Sequence, residues 1–599
     1  MREMPVMRAQ ARRPPDVRLE EDTTMVQDAD LTFAPRVVFD ALPACASRAR
    51  FMVPEGKGRW SVVTWADFAA RIRRASCFLA ERGLKAGDRA CIFAPNSVDW
   101  GAAALAIQAA GGVMVPIYAS NTVEQMAYVV DHSDSEFVFA GSAPLLERTI
   151  EACASTPKVK HIVYLGLETD IAAAVKKAAS RVRSIDDALR LFAKVIPWER
   201  ALSEGLVADE LRPERFEARM DALSLDGASV MLYTSGTSGP PKGVPLTHRN
   251  VGTNGVDWLA IYGEAVPANA VDLLWLPMSH IFGFGELCLG NTLRFTTYMS
   301  EPKVLYDHLK EVRPQVFMSV PQVWEKLASF AAGIENLDDR KAKLAEMTGG
   351  AIAFGLSGGA GLKREVKEFF ATTGLAIMEG YGLTECSPTL TLNRPKDYRF
   401  DTVGKVLPSV ELSLAEDGEI LARGPSVFGG YHKDEAATRE AFSDDGWFKT
   451  GDIGRFTDDG FLQIVDRKKD ILVTAGGKNV APANVEQLFA SDALIAQAVV
   501  YGEAKKYLVA GFWLNPPTPD DPEQLLGLEG QARVEAARQF VQAKVNAANE
   551  RVAHHETIKA FRVFDKPLTI EGGFLTPTMK IRRKAIVSAF REDFEGLYT

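Results

Sequence analysis

The sequence predicts an α/β protein: a large N-terminal domain of layered α/β subdomains with a β-rich subdomain, then a small α+β C-terminal domain. Three observations support this prediction. Helical patterns alternate with short Val/Ile-rich strands from about Val37 onward, β-rich sequence begins near Val403, and the charged stretch 466–470 precedes a fresh α+β unit. A chain of 599 residues is also too long for one hydrophobic core.

The first half of the chain has the helix–strand alternation that is typical of parallel sheets. Periodicity predicts helices over 65–82 and 102–110 and strands over 89–94, 113–118, 136–139, 161–165 and 228–233.

One uncharged run, 101–119, is nearly long enough to span a bilayer. Gly111-Gly112 and Pro116 interrupt it, so we interpret it as a buried helix followed by a strand. The segment 166–226 is charged and mostly helical, and we interpret it as an insertion.

The second half is first β-rich and then α+β. Asp459-Gly460 is a strong signal for a two-residue hairpin turn. We place the domain boundary inside the charged stretch, which gives an N-terminal domain over 36–468, a C-terminal domain over 469–599 and a disordered leader over 1–35. Strands are predicted over 410–414, 419–423, 471–474, 496–501 and 507–514, and helices over 363–370, 483–489 and 533–553.

Composition excludes several classes of protein. The residues are 47% hydrophobic and 25% charged, as in soluble globular proteins, and the net charge of −9 argues against bulk binding to nucleic acid. The six cysteines show no CxxC spacing, which indicates reduced thiols in a cytoplasmic protein and no cysteine metal site. The first residues lack the apolar core of a secretory signal.

The most informative motif is Tyr233-Thr-Ser-Gly-Thr-Ser-Gly-Pro-Pro-Lys-Gly-Val244. It offers hydroxyls, backbone N–H groups and one cation, with no carboxylate, and this combination favours a polyphosphate guest. It is not a Walker A loop, because no Ser or Thr follows the lysine. The candidate binding residues are Thr234, Ser235, Gly236, Thr237, Ser238, Gly239 and Lys242.

A second motif, Tyr381-Gly382-Leu383-Thr384-Glu385, follows the small residues Gly358, Gly359 and Ala360. These small residues let a planar group lie against the backbone, and Tyr381 supplies an aromatic face for a base. Near a polyphosphate, Glu385 would hold Mg²⁺, a hard ion that prefers oxygen ligands.

Asp452 and Arg467 lie on either side of the predicted hairpin. Asp452 is seven residues before Asp459, and Arg467 is seven residues after Gly460. An unbulged two-residue hairpin would place them opposite one another, with Cβ atoms about 5 Å apart. Such a pair is either a structural ion pair or a binding site for the two ribose hydroxyls of a nucleotide, and the phosphate loop favours the second interpretation.

Two further residues are ambiguous when taken alone. Lys580 lies among other basic residues near the C-terminus, and His280 follows a predicted strand. No Ser–His–Asp or Cys–His motif appears, so the sequence does not support covalent catalysis.

Together these segments resemble the adenylate-forming superfamily of acyl-CoA synthetases, adenylation domains and luciferases. The resemblance covers about residues 35–595. VPQVWEKL at 320–327 and GGKNVAP at 476–482 look like the long- or medium-chain fatty acyl-CoA ligases. The superfamily motifs are YTSGTSGPPKGV at 233–244, YGLTE at 381–385, DGWFKTGD at 445–452, DRKKD at 466–470 and TPTMK at 576–580.

The resemblance implies residue roles around MgATP. The glycine-rich loop would hold the β- and γ-phosphates, and Thr384 and Glu385 would serve the α-phosphate and Mg²⁺. Tyr381, Gly382 and residues 358–360 would hold adenine, and Asp452 and Arg467 would bind ribose.

The resemblance also implies roles at the acid and at the domain boundary. Lys580 would bridge the attacking carboxylate and the α-phosphate, where a cation offsets the repulsion of two anions. His280 would act beside the acyl site, and Phe284 would gate a fatty-acyl tunnel. Lys469 would be the hinge about which a mobile C-terminal domain rotates.

The resemblance implies a cytoplasmic enzyme that converts a fatty acid to acyl-AMP and then passes the acyl group to CoA. Three alternatives remain: an acyl-AMP ligase that loads a carrier protein, a luciferase-type oxygenase, and a non-catalytic acyl-nucleotide-binding protein. The unbroken sequence after the hinge favours CoA over a carrier protein. Basic residues alternate with apolar ones in 166–226, which makes a peripheral membrane contact a further hypothesis.

Overall fold

The fold class predicted from the sequence is confirmed: two large mixed sheets with helical layers precede a small four-stranded sheet and a separate α+β unit. The computed structural model describes residues 26–56, 58–181, 185–234, 240–476, 478–490, 492–518, 521–570, 572–576 and 580–598.

The first large sheet has seven strands, parallel except at one edge. Its central strands are fully buried because helices cover both faces, as expected for parallel sheets. In spatial order the strands are Val195–Pro197, His161–Tyr164, Phe137–Ala140, Arg89–Phe93, Val113–Ile117, Ala228–Thr234 and Lys242–Thr247.

The second large sheet has nine strands, parallel in its centre and antiparallel at both ends. In spatial order they are Lys405–Val406, Thr389–Leu392, Ile377–Gly382, Phe354–Ser357, Val316–Ser319, Val271–Leu274, Thr296–Met299, Ala49–Gly56 and Arg59–Thr64.

The α-helices pack on these sheets and begin at recognisable caps. Thr64, for example, accepts a hydrogen bond from Asp67 N, and Asp67 Oδ2 accepts one from Thr64 N. In the N-terminal part they are Ala34–Cys45, Trp65–Glu81, Val98–Ala109, Val123–His132, Ala143–Cys153, Ile171–Ala179, Ile185–Phe192, Trp198–Leu211, Glu214–Asp221, His248–Tyr262, Ile281–Thr292, Leu305–Val312, Pro321–Ser329, Leu337–Thr348, Arg364–Thr372 and Glu435–Ala441.

The uncharged run 101–119 forms the buried helix and strand that the sequence predicts. Among the described residues, no helix is both long and apolar enough to cross a membrane.

The segment 166–226 is mostly helical, as predicted, but it is also part of the N-terminal core. Its strand Val195–Pro197 is the edge of the seven-stranded sheet. Its helix Trp198–Leu211 crosses the helix Trp65–Glu81 so closely that a Cβ on Gly205 would lie 1.8 Å from the Arg74 carbonyl oxygen. Only glycine permits this approach, so the segment is fixed to the domain rather than added to its surface.

The four-stranded antiparallel sheet contains the predicted hairpin, with strands Glu411–Leu414, Glu419–Arg423, Phe448–Phe456 and Leu462–Arg467. The prediction of a two-residue turn is wrong. Thr457 N donates to Phe461 O, so the loop has three residues, and Gly460 in it has φ +81°. A bulge near Gly454 then shifts the register back by one residue. Asp452 and Arg467 are therefore still paired, so the predicted juxtaposition is confirmed.

The chain after residue 470 forms its own α+β unit with separate hydrophobic clusters. The strands are Leu472–Val473, Asn479–Val480, Ile495–Tyr501, Leu508–Leu514 and Ile558–Phe564, and the α-helices are Pro482–Glu486, Gly530–Asn549, Arg583–Ala589 and Arg591–Glu595.

The segment predicted as a leader lies only partly within the described residues. Residues 1–25 are outside them. Further along, Asp28 forms an ion pair with Arg249, and the Phe33 ring contacts His248 edge-on at 5.0 Å. Residues 26–35 thus pack on the helix His248–Tyr262.

Candidate active site

A cleft of about 2020 Å³ lies between the N-terminal sheets and the C-terminal unit. Residues from both sides line it, so its shape depends on how the two parts of the chain meet. Every predicted site residue that the structure describes lines this cleft: Thr234, Lys242, His280, Phe284, Gly358, Gly359, Ala360, Tyr381, Gly382, Thr384, Glu385, Asp452, Arg467, Lys469 and Lys580.

The two ends of the glycine-rich loop are paired strands of the seven-stranded sheet. Thr234 ends one strand, Lys242 begins the next, and the two residues are cross-strand partners. The intervening predicted residues Ser235, Gly236, Thr237, Ser238 and Gly239 lie outside the described residues. The pairing fixes where the loop leaves and re-enters the sheet, at the edge of the cleft.

Tyr431 links the loop to the second motif, and sequence reasoning missed it. The Lys242 ammonium lies 4.6 Å from the centre of the Tyr431 ring, and the Tyr431 hydroxyl donates to Glu385 Oε1 at 3.0 Å. One tyrosine therefore positions both a cation and a carboxylate. The only sequence signal was Gly429-Gly430 before it, which marks a tight backbone without indicating a function.

The small residues at 358–360 follow the strand Phe354–Ser357 directly. A Cβ on Gly358 would lie 3.0 Å from the Phe282 ring, and Gly359 has φ +86°, a conformation that favours glycine. This backbone therefore forms a thin wall of the cleft.

A buried ion pair supports this wall from behind. Lys367 Nζ lies 2.5 Å from Glu379 Oε2, and Glu379 Oε1 accepts the backbone N–H of Leu362 at 2.7 Å. The sequence analysis did not identify this pair, although a Glu inside the apolar strand Ile377–Gly382 was a visible signal. Because both side chains are buried, the pair holds the loop to the sheet.

Tyr381, Asp452 and Arg467 form one hydrogen-bonded group. The Tyr381 hydroxyl donates to Asp452 Oδ2 at 2.6 Å, and Arg467 Nε lies 2.7 Å from Asp452 Oδ1. Burial raises the pKa of Asp452, while Arg467 opposes that rise. The Arg467 side chain is half-exposed and lines the cleft, and a guanidinium has five N–H donors, so this group of residues can present donors to a polar guest.

Lys580 reaches the same cleft from the C-terminal unit. A short pairing holds it, in which Leu575 bridges Ile581 and Thr576 N donates to Lys580 O at 2.8 Å. The side chain is solvent-exposed within the cleft. The cleft walls nevertheless desolvate the ammonium and lower its pKa from the ordinary 10.5, and repulsion from Arg467 adds to this effect.

His280 and Phe284 line the cleft at the start of one helix. His280 caps the helix Ile281–Thr292, and its Nδ1 accepts the N–H of Phe282 at 3.1 Å. Burial, with repulsion from Lys580, lowers the pKa of His280 to about 4, so the ring is neutral near pH 7. Phe284 is buried and its ring lies 6.3 Å from that of Trp100.

The donor set suits a substrate-bound magnesium ion. Among the described residues, no group of three or more His, Cys, Asp or Glu side chains could hold a metal by itself. Glu385 and Thr384 supply one carboxylate and one hydroxyl beside Lys242. Mg²⁺ is commonly held by one or two carboxylates together with substrate phosphates and water, so these residues fit it.

Comparisons with known proteins agree with this geometry. The family description "AMP-binding enzyme" matches residues 43–432, and "AMP-binding enzyme C-terminal domain" matches residues 469–599. The long-chain-fatty-acid–CoA ligase FadD15 of Mycobacterium bovis is 33% identical over 586 residues, covering 90% of this chain and 93% of that protein. The mouse long-chain-fatty-acid–CoA ligase 6 is 27% identical, covering 92% of this chain and 84% of that protein.

Solved structures share the fold at low sequence identity. The adenylation domain of a carboxylate reductase from Mycobacterium chelonae superposes with a TM-score of 0.78 at 20% identity, covering 96% of this chain and 94% of that one. The corresponding domain from Segniliparus rugosus, in complex with AMP and a co-purified carboxylic acid, gives a TM-score of 0.76 at 21% identity, covering 96% and 95%. With both domain descriptions matched and the predicted motifs lining one cleft, this chain belongs to the AMP-binding enzyme family of adenylate-forming enzymes.

Proposed function

We propose that this enzyme is an AMP-forming fatty acid–CoA ligase. A fatty acid carboxylate attacks the α-phosphate of ATP, giving acyl-AMP and pyrophosphate, and the thiol of CoA then displaces AMP from that anhydride. The observation that carries the proposal is the convergence of Lys580 with Asp452, Arg467, Thr234 and Lys242 in one cleft. The relatives named as long-chain-fatty-acid–CoA ligases support the choice of substrate.

Different residues of the cleft bind different parts of MgATP. Lys242 and the glycine-rich loop, including Ser235, Gly236, Thr237, Ser238 and Gly239, hold the β- and γ-phosphates. Tyr381, Gly382 and residues 358–360 hold adenine, and Asp452 with Arg467 binds ribose. Thr384 and Glu385 hold the α-phosphate and Mg²⁺, which would offset phosphate charge.

Lys580 brings the two anions of the first step together. Its charge acts on both Asp452 and His280, which supports a position from which it contacts the acid and the α-phosphate at once. Neutral His280 orients the acid end of the substrate without adding charge, and Phe284 borders the acyl channel.

CoA is the proposed acceptor and Lys469 the proposed hinge. The boundary between domains is proposed within 466–470, where Lys469 is exposed in a turn after the strand Leu462–Arg467. Rotation there would replace Lys580 by another face of the C-terminal domain for the second step.

The test is pyrophosphate release from ATP across a panel of carboxylic acids, with and without CoA. We expect fatty acids to release pyrophosphate and AMP, and CoA to raise turnover while a fatty acyl-CoA accumulates. Release that needs an acyl carrier protein instead of CoA would favour the carrier-loading ligase, and no turnover of any acid would refute the proposal.

We also propose a peripheral membrane contact through the helices Ile171–Ala179 and Ile185–Phe192. Leu189 and Phe192 are 58% and 45% exposed, Leu167 nearby is 73% exposed, and Lys176 and Arg190 are exposed on the same helices. Exposed apolar side chains beside cations suit an anionic lipid surface. We expect co-sedimentation with phosphatidylserine-containing vesicles that Leu189→Glu/Phe192→Glu abolishes; protein that stays in the supernatant would refute this contact.

A further inference from the structure

A buried carboxyl group lies in the wall of the cleft. Glu286, on the helix Ile281–Thr292, is 2% exposed and belongs to the residues that line the cleft. Within the described part of the chain, neither of its carboxyl oxygens has a hydrogen-bond partner. Buried carboxyl groups rarely lack hydrogen-bond partners, because nothing then offsets the free energy lost when the group leaves water.

The buried cation Arg50 does not satisfy Glu286. Arg50 directs its donors elsewhere: Nε to Asn291 Oδ1 at 2.8 Å, one terminal nitrogen to Thr297 Oγ1 at 2.5 Å and the other to Leu287 O at 3.2 Å. Burial, together with repulsion from Asp272, raises the pKa of Glu286 well above its ordinary value. This shift favours the protonated acid, which has one donor and free acceptor capacity.

Apolar side chains also line the cleft that Glu286 lines. Trp258, Phe284, Leu289 and Met318 are among them. An unsubstituted alkyl chain would fill this space and leave Glu286 without a partner. A hydroxyl on the chain would both donate to it and accept from it.

The position along the helix indicates which part of the acyl chain passes Glu286. Glu286 is six residues beyond His280, which corresponds to about 9 Å along a helix. The carboxylate end of the substrate lies near His280 and Lys580 in the proposed function. Glu286 would thus meet the chain several methylenes from the reacting carboxyl.

We propose that Glu286 is a specificity-determining residue that hydrogen-bonds a mid-chain hydroxyl, so that the enzyme prefers hydroxylated fatty acids over unsubstituted ones of equal length. This inference rests on the proposed fatty acid activation and adds a substrate class to it. A site built to bind a hydroxyl discriminates against the analogue that lacks it, because its own polar group is then left unpaired.

The experiment compares kcat/KM for pyrophosphate release with stearic acid and with hydroxystearic acids that carry the hydroxyl at successive positions. We expect the wild-type enzyme to prefer one mid-chain isomer over stearic acid by at least about fivefold. Glu286→Leu should lower that ratio at least about fivefold, to near one, by losing activity on the hydroxy acid. Glu286→Gln keeps a donor and an acceptor and should retain most of the preference.

Glu325→Leu is the matched control, because Glu325 is also a buried carboxyl but does not line the cleft. It should leave the ratio unchanged. Thermal unfolding of each variant checks folding, and the Tm increase of the wild type with each acid gives a binding readout independent of turnover.

Two results would overturn the inference: no preference for any hydroxy isomer in the wild-type enzyme, or a preference that survives Glu286→Leu. Both are distinct from failure of the proposed function, in which stearic acid and its hydroxy derivatives alike release no pyrophosphate. If Glu286→Leu does not fold, the inference is still tested by the preference of the wild-type enzyme and by the ratio measured for Glu286→Gln.

Discussion

Asp452 shows how the role of a single residue depends on partners from distant parts of the chain. Arg467 comes from the adjacent strand of the same hairpin, whereas Tyr381 comes from the second large sheet. Both contact the buried carboxyl group and oppose the rise in its pKa that burial causes. The group is therefore both a structural link and the proposed ribose site.

Asp452→Ala is expected to weaken ATP binding about 10- to 100-fold, because hydrogen bonds to a charged group contribute about 1.5–3 kcal/mol. Isothermal titration of ATP into the variant measures this. Asp459→Ala, which removes an exposed ion pair with Arg399 at the tip of the same hairpin, is the control and should bind ATP normally. An unchanged affinity in Asp452→Ala would mean that the pair is only structural.

Lys580→Ala is expected to lower acyl-AMP formation at least about 100-fold, the scale of losing one group that stabilises transition-state charge. Thioester formation from supplied acyl-AMP should stay within a few-fold of wild type. Rapid-quench assays of the separate half-reactions measure both. Lys584→Ala, an exposed lysine outside the cleft, should change neither, and equal losses in both half-reactions would contradict the role of Lys580.

The lowered pKa of Lys580 gives the proposed adenylation an alkaline limit. The ammonium is the active form, so kcat/KM for ATP should fall as pH rises through a value below 10.5, the ordinary pKa of lysine. In Lys580→Arg the side chain stays charged, so the decrease in kcat/KM at alkaline pH should disappear, whatever the absolute rate of the variant. A pH profile of pyrophosphate release that is flat up to 10.5 would argue against the assignment.

At the scale of elements, the cleft wall depends on a strand and a helix joined by one buried ion pair. Lys367 comes from the helix Arg364–Thr372 and Glu379 from the strand Ile377–Gly382, and Glu379 also accepts the backbone N–H of Leu362. The hairpin also preserves the site. Its loop is one residue longer than predicted and a bulge shifts the register back by one residue, so Asp452 still faces Arg467. Elements thus preserve the site even where turn details differ from expectation.

Lys367→Met is expected to lower the free energy of unfolding by about 3–5 kcal/mol, because it leaves Glu379 buried without a countercharge. Denaturant unfolding measures the change. The double variant Lys367→Met/Glu379→Leu removes both charges and should recover most of that stability. If the single variant is as stable as wild type, the pair does not hold the wall.

At the scale of the whole molecule, the site exists only where the two parts of the chain meet. Lys580 belongs to the C-terminal unit, whereas Lys242, Tyr381 and Asp452 belong to the N-terminal part. Lys580 lies inside the cleft in the described arrangement, as the proposed first half-reaction needs. The proposed second half-reaction would require the C-terminal unit to move.

Lys469→Pro tests that movement. Proline fixes φ near −65° and restricts the preceding residue, so rotation at this turn should be hindered. We expect acyl-AMP formation to continue while thioester formation falls at least about tenfold, as measured in the separate half-reactions. Lys469→Ala should leave both steps near wild type, and a Lys469→Pro enzyme with normal thioester formation would place the hinge elsewhere.

The sequence by itself determined the alternation of elements and the motifs, because these depend on periodicity and on short runs of residues. The Asp452–Arg467 pairing, by contrast, depends on a three-residue loop and a bulge that only the structure shows. The tertiary structure alone decided that the segment 166–226 belongs to the core and that Tyr431 joins Lys242 to Glu385. It also decided that the Glu286 carboxyl, in the cleft wall, has no hydrogen-bond partner among the described residues. The reason is physical: contacts between residues far apart in the chain follow from packing and burial, which local patterns do not encode.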